Sequence, residues 1–494
     1  MSSLASLTSA SMLGLPTALP PLPRAALPED DPAAALLIAA AVIGIGELGG
    51  CLPAQVENER NLCAAEGQSY LSKQAASLLK RILASEFPAV LPEFLQLTAQ
   101  QRLLVPPEML PALLGLEKSD LRRLVLPVIG ARGRWLAAQN PAWSYARQRE
   151  AQDAWEHGRR AERLAALEAL RGREPSQARQ WIQAAWEQES PEERAALIAT
   201  LSTGLSLEDE PLLEACLDDK RKEVRQAGRG LLLRLEGSRL VQRMWERARP
   251  LLKIKSKFLG RETLEVSLPE GWDAAAKRDG LGGAQLRKKM GEKANLLAQL
   301  LASVPPALWS RELGRPPEKL IAAALGSEWK EALLLGWQLA TLAVEDVAWA
   351  EALVPLWAAP EGRELLAAEE AGALIRLARP EKIEALVREA VKPVLAELDD
   401  QSLLISLLEQ YQRPWSVRLA RLVVQSAQRQ SGALRHSLPL ALPAFAHWIP
   451  PELAAEFAHG WSAEAKGFWP TRINEFLALL NFRSQVLAAL HAAP

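Results

Sequence analysis

Arg132, Gly133, Arg134 and Trp135 form the densest group of recognition-type side chains in the chain. Two guanidiniums flanking a glycine beside an indole can grip a carboxylate or a phosphate, with Trp135 or the nearby Trp143 stacking on a ligand or on an arginine. The same residues fit a structural turn between helices, with both tryptophans packed and both arginines paired to acidic side chains. Arginine and aromatic residues are enriched at interfaces of several kinds, so both readings stay open.

A second group is electrostatic. The stretch 249–293 holds eleven Lys and Arg residues, among them Lys253, Lys255 and Lys257, against six Asp and Glu residues, a local excess of +5. Such a stretch can contact a phosphate backbone. It also fits a solvated hairpin and helix face with cross-strand ion pairs, or a protein-binding hairpin.

Other motifs point to less chemistry. Gly44, Gly46 and Gly49 match the glycine spacing of a dinucleotide site. That site needs a strand before it and a helix after it, whereas the preceding run is alanine-rich and Leu52-Pro53 interrupts the region where the helix would continue. A glycine-rich helix end is the better reading. The histidines His157, His436, His447, His459 and His491 have no metal-ligand spacing, and no Ser-His-Asp order, paired-carboxylate signature or phosphate loop is recognisable. The sequence thus implies no metal and no cofactor, and favours a protein without enzymatic activity. Catalytic groups meet in space, however, so missing motifs say little against catalysis. Cys51, Cys63 and Cys216 read as reduced thiols of a cytoplasmic protein.

The elements that must position these residues are almost all helical. At 494 residues the chain exceeds a single core of about 250–300 residues, so several domains or a repeat array are expected. Its apolar fraction of 49% and charged fraction of 24% are those of a folded soluble protein, and a net charge of −1 argues against a global grip on nucleic acid or anionic membrane. The apolar run from Ala33 to Gly46 is shorter than the roughly 20 residues of a membrane span and starts too late for a signal peptide, so it predicts a buried helix.

Tyr70 to Phe87 carries Leu71, Ala75, Leu78, Leu79, Ile82 and Leu83 on one stripe. Ser119 can cap a helix running to Leu126. Ser190-Pro191-Glu192-Glu193 has the pattern of a capping box. In the C-terminal half, 364–378 and 381–397 read as paired helices. The sixteen tryptophans, with Trp309, Trp329, Trp337, Trp349 and Trp357 recurring, read mostly as core, and some are available to line a concave binding surface. Strand signal is confined to 252–258 and 262–268, which alternate strictly. A hairpin there pairs Ile254 with Val266, Leu252 with Leu268 and Lys255 with Glu265.

Residues 211–235 are the most informative. Leu212, Leu213 and Leu217 lie on a first helix, Asp218 and Asp219 in a turn, and Val224, Arg225, Ala227, Leu231 and Leu232 on a second. A turn aspartate can cap the second helix, Arg225 can bridge to a neighbouring turn, and small Ala227 lets the helices approach. This stretch resembles a HEAT repeat, and the helix pair over 176–204 lies one repeat length upstream. Stacked pairs of this kind form a solenoid.

A wider resemblance rests on 130–143, on Leu268-Pro269-Glu270-Gly271-Trp272, on the Val304-Pro305-Pro306 turn and on Phe482-Arg483. Together they resemble a bacterial family of unknown function with HEAT-type helical character, over roughly 33–490. The resemblance implies gene neighbours encoding MoxR-type AAA+ ATPases, von Willebrand factor A domain proteins and SWIM zinc-finger proteins. It implies no assigned activity.

The expected fold is therefore all-α, a HEAT- or armadillo-like helical-hairpin solenoid with one short β-hairpin insertion. The expected organisation is a loosely ordered lead-in over 1–32, a helical repeat region over 33–249 that is clearest at 175–235, a basic hairpin and linker over 250–283, and a helical region over 284–494. The function that fits is a protein-interaction scaffold or adaptor for an AAA+ ATPase and a von Willebrand A-type partner, without membrane contact. The alternative is a nucleic-acid-binding protein of the DNA-alkylation-repair type using 249–293. Arg132, Arg134, Trp135, Trp143, Lys253, Lys255 and Lys257 are the candidate partner-binding residues.

Overall fold

The computed structural model describes residues 34, 37–38, 40–42, 45, 63–147, 151–256, 262–268, 271–283, 285–288, 290–357, 365, 368–390, 403–431 and 437–492. The chain divides into two units, Met1–Ala64 and Ala65–Pro494. In the first, the described residues of the apolar run are helical, but Leu37, Val42 and Ile45 are exposed. At the described residues the expected helix is observed, and these three apolar side chains of it are exposed. Apolar composition sets the preference for burial, and only a packed neighbour provides it. The glycine motif at 44–49 lies outside the described residues except for Ile45, as does Lys257 in the hairpin.

The second unit is built from helices and one two-stranded antiparallel sheet. Its first helix is Lys73–Leu83, with Ala75, Leu78, Leu79 and Ile82 buried and Ser72 accepting the amide of Ala75 at 3.2 Å. Ser190 caps Pro191–Thr200 as its spacing predicts, by accepting the Glu193 amide at 3.2 Å. The reciprocal half of the box is absent, because the Glu193 carboxylate turns to Arg160 at 3.0 Å. Ser119 is the first residue of Ser119–Val125 and not its cap. The paired C-terminal helices are observed as Ala368–Leu377 and Pro380–Ala390.

Within 210–234 the helix pair Glu210–Cys216 and Lys222–Arg234 forms as expected, but its ties differ. Asp219 accepts the Arg221 amide at 2.8 Å, just before the helix and not within it. Arg225 bonds the Asp219 carbonyl of its own turn at 2.7 Å, and the bridge between neighbouring pairs comes from Arg194, 3.5 Å from the Asp219 carboxylate. The closest helix approach is at Gly228 and not at Ala227. A Cβ at Gly228 would lie 2.6 Å from Cys216 Cβ.

The Arg194 arrangement repeats thirty-one residues earlier. Arg163 Nε donates to the Trp155 carbonyl at 3.1 Å, its guanidinium lies 4.6 Å from the Trp155 ring centre, and it pairs with Glu189. Arg194 Nε donates to the Trp186 carbonyl at 2.8 Å and its guanidinium lies 5.3 Å from the Trp186 ring. Each arginine sits eight residues after its tryptophan and reaches forward to an acidic residue of the next turn. An aromatic bench, a backbone acceptor and a carboxylate fix the guanidinium in one pose.

The strands β1 (Leu252–Ser256) and β2 (Glu262–Val266) pair Leu252 with Val266, Lys253 with Glu265 and Ile254 with Leu264. This register differs by two residues from the expected one. A shift of two preserves side-chain parity, so the apolar face is still the one expected, with Leu252 and Leu264 buried. The core is one continuous apolar cluster, with Trp309, Trp337, Trp349 and Trp469 fully buried. Trp245 meets Trp309, and Trp337 meets Trp349, each edge-on at 4.9 Å.

The last helix, Trp469–His491, packs back on the first ones. Phe482 stacks on Phe87 at 4.5 Å, beneath the Arg81 guanidinium at 4.9 Å. Arg483 is buried and grips Glu93 with two hydrogen bonds of 2.6 Å, while donating to the carbonyls of Ala446 and Ile449. The Ser72 hydroxyl reaches the Ala489 carbonyl at 3.4 Å. The second unit is therefore a circuit that joins its own ends, and Phe482-Arg483, legible only as a resemblance, is its clasp.

Candidate partner-binding surface

The residues 130–139 form a helix and not a turn. Gly130 enters it with φ +62°, and the Glu66 carboxylate lies where a Cβ would stand, its atoms within 2.7 Å of that position. That carboxylate accepts the amides of Ala131 at 2.9 Å and Arg132 at 2.8 Å. Glycine is required here on both counts, and a carboxylate is the group best suited to the positive end of a helix. Glu66 had no such signal in the sequence, because its partners are sixty-five residues away.

Arg132 and Arg134 are exposed on this helix, and Trp135 is half-buried. Neither arginine has an ion-pair partner among the described residues. Trp143 comes next in a 3₁₀ turn, Pro141–Ala146, half-buried against the core. Arg132, Arg134, Trp135 and Trp143 thus share one segment, with the arginines exposed, Trp135 half-buried and Trp143 packed against the core. The reading in which both arginines are consumed by acidic neighbours does not hold here.

The end of that helix borders a cleft of about 270 Å3, lined by Ala138, Gln139, Asn140, Ser144 and, from further along the chain, Arg147, His157 and Arg159 among others. Arg147 and Arg159 are exposed and have no ion-pair partner among the described residues. The Glu162 carboxylate lines the same cleft. Asp153 lies 3.5 Å from His157, and Glu162 accepts the Arg159 amide at 2.9 Å. Sequence reading missed these cleft residues because separate segments contribute them.

The basic stretch 249–293 is a different case. Arg249 bonds Glu312 at 2.7 Å, Lys255 lies 3.5 Å from Glu265, and Arg287 lies 3.6 Å from Glu370. Arg278 bonds Asp218 at 2.6 Å and reaches Glu214 at 3.4 Å. Lys253 and Lys255 are exposed on β1. The segment read as a turn-rich linker carries an anchor: Asp279 is buried and receives Arg243 at 2.8 Å and Arg247 at 2.9 Å. Burial would raise the Asp279 carboxyl, but the two guanidiniums outweigh it and hold it below the ordinary carboxylate range. Among the described residues Lys255 pairs with Glu265 and has no ion pair with the 130–139 helix.

Among the described residues no cluster of His, Cys, Asp and Glu could hold a metal ion, and no helix is long and apolar enough to cross a membrane. No curated protein and no solved structure matches the chain. A family model does, over residues 6–490, which includes the resemblance-bearing stretches at 130–143, 268–272, 304–306 and 482–483. The chain belongs to that family, DUF5691, a family of unknown function.

Proposed function

We propose that this chain is a non-enzymatic scaffold or adaptor of HEAT-like architecture, working in the cytoplasm with a MoxR-type AAA+ ATPase and a von Willebrand A-type protein. The observation that carries the reading is the thirty-one-residue recurrence of the Trp–Arg–carboxylate tie at Trp155, Arg163 and Glu189 and again at Trp186, Arg194 and Asp219. Recurring ties of this kind belong to stacked repeats, whose common use is to hold a long surface rigid for a partner. A surface fixed in advance loses less entropy on binding. The regions 33–249, 250–283 and 284–494 are proposed as its N-terminal repeats, hairpin insertion and C-terminal helices.

A nucleic-acid grip through 249–293 is the competing reading. Four of its eleven basic residues, Arg249, Lys255, Arg278 and Arg287, are held in intramolecular pairs. Affinity capture of the tagged full chain from its own cells, read by mass spectrometry at low and moderate salt, separates the two. The scaffold reading expects an AAA+ ATPase or a von Willebrand A-type protein, retained as salt rises. Nucleic acid alone, lost steeply with salt, would overturn it.

A further inference from the structure

We draw no further inference here: the strongest candidate, the largely apolar cleft lined by Phe87, Pro443, Ala444, His447 and Leu479 where the last helix meets the first ones, carries nothing because nothing in the structure shows what covers it.

Discussion

At the scale of single residues, Gly130 concentrates two demands that no other residue type meets. Its left-handed φ of +62° penalises any Cβ, and that Cβ would also strike the Glu66 carboxylate. Gly130→Ala should cost about 2 kcal/mol in denaturant unfolding. Removing the obstacle with Glu66→Ala in the same chain should recover only part of that, because the backbone strain stays. Full recovery would show that the clash alone mattered. Sequence made the arginines beside this glycine visible as recognition chemistry. It gave no sign of Glu66, Arg147 or Arg159, which reach the site from other segments. Ser190 was legible as a cap because capping is local. Asp219 and Arg225 were misassigned because their partners depend on how one helix pair sits on the next.

At the scale of elements, the helix Lys222–Arg234 carries two glycines with opposite expectations. A Cβ at Gly228 would stand 2.6 Å from Cys216 Cβ and 3.1 Å from the Leu213 carbonyl oxygen, whereas one at Gly230 would meet open space. Alanine in a helix interior normally gains about 1 kcal/mol over glycine. Gly230→Ala should therefore stabilise by about 0.5–1 kcal/mol, and Gly228→Ala should destabilise despite the same propensity gain. Parallel urea titrations of the two variants check this, and equal signs would refute the close approach. Helices were readable from apolar period, as at Lys73–Leu83. The hairpin was readable in its strands and faces, but its register was not, since parity tolerates a slip of two and only the turn distinguishes the alternatives.

At the scale of the whole second unit, the decisive contacts join residues some 390 positions apart, beyond the reach of any local pattern. Arg483 is more deeply buried than Glu93, so the two halves of the clasp are not equivalent. Glu93→Gln strands a buried guanidinium and should cost about 3 kcal/mol, whereas Arg483→Met, which leaves a carboxylate partly in water, should cost less. Denaturant midpoints of the two variants test the order. His447 lies beside this clasp, in a cleft with Phe87 and Glu475. Burial and the charge of Arg483 lower its pKa, with Glu93 opposing. A histidine whose folded value is depressed contributes its full stability above the ordinary value of about 6.5 and loses it as pH falls through the folded value. Unfolding free energy should therefore drop as pH falls below the ordinary histidine value of about 6.5, and the drop should shrink in His447→Gln.

An open stack of repeats has free ends and can gain or lose a unit with little penalty to the rest. Here the last helix is tied to the first ones through Arg483 and Glu93. Deleting one helix pair, such as 210–234, would leave a gap that must open either at Arg483 and Glu93 or across every neighbouring layer at once. The contact between the last helix and the first ones therefore couples the placement of the helices between them to the Arg483–Glu93 pair, whereas a loop far from that pair can change without touching it.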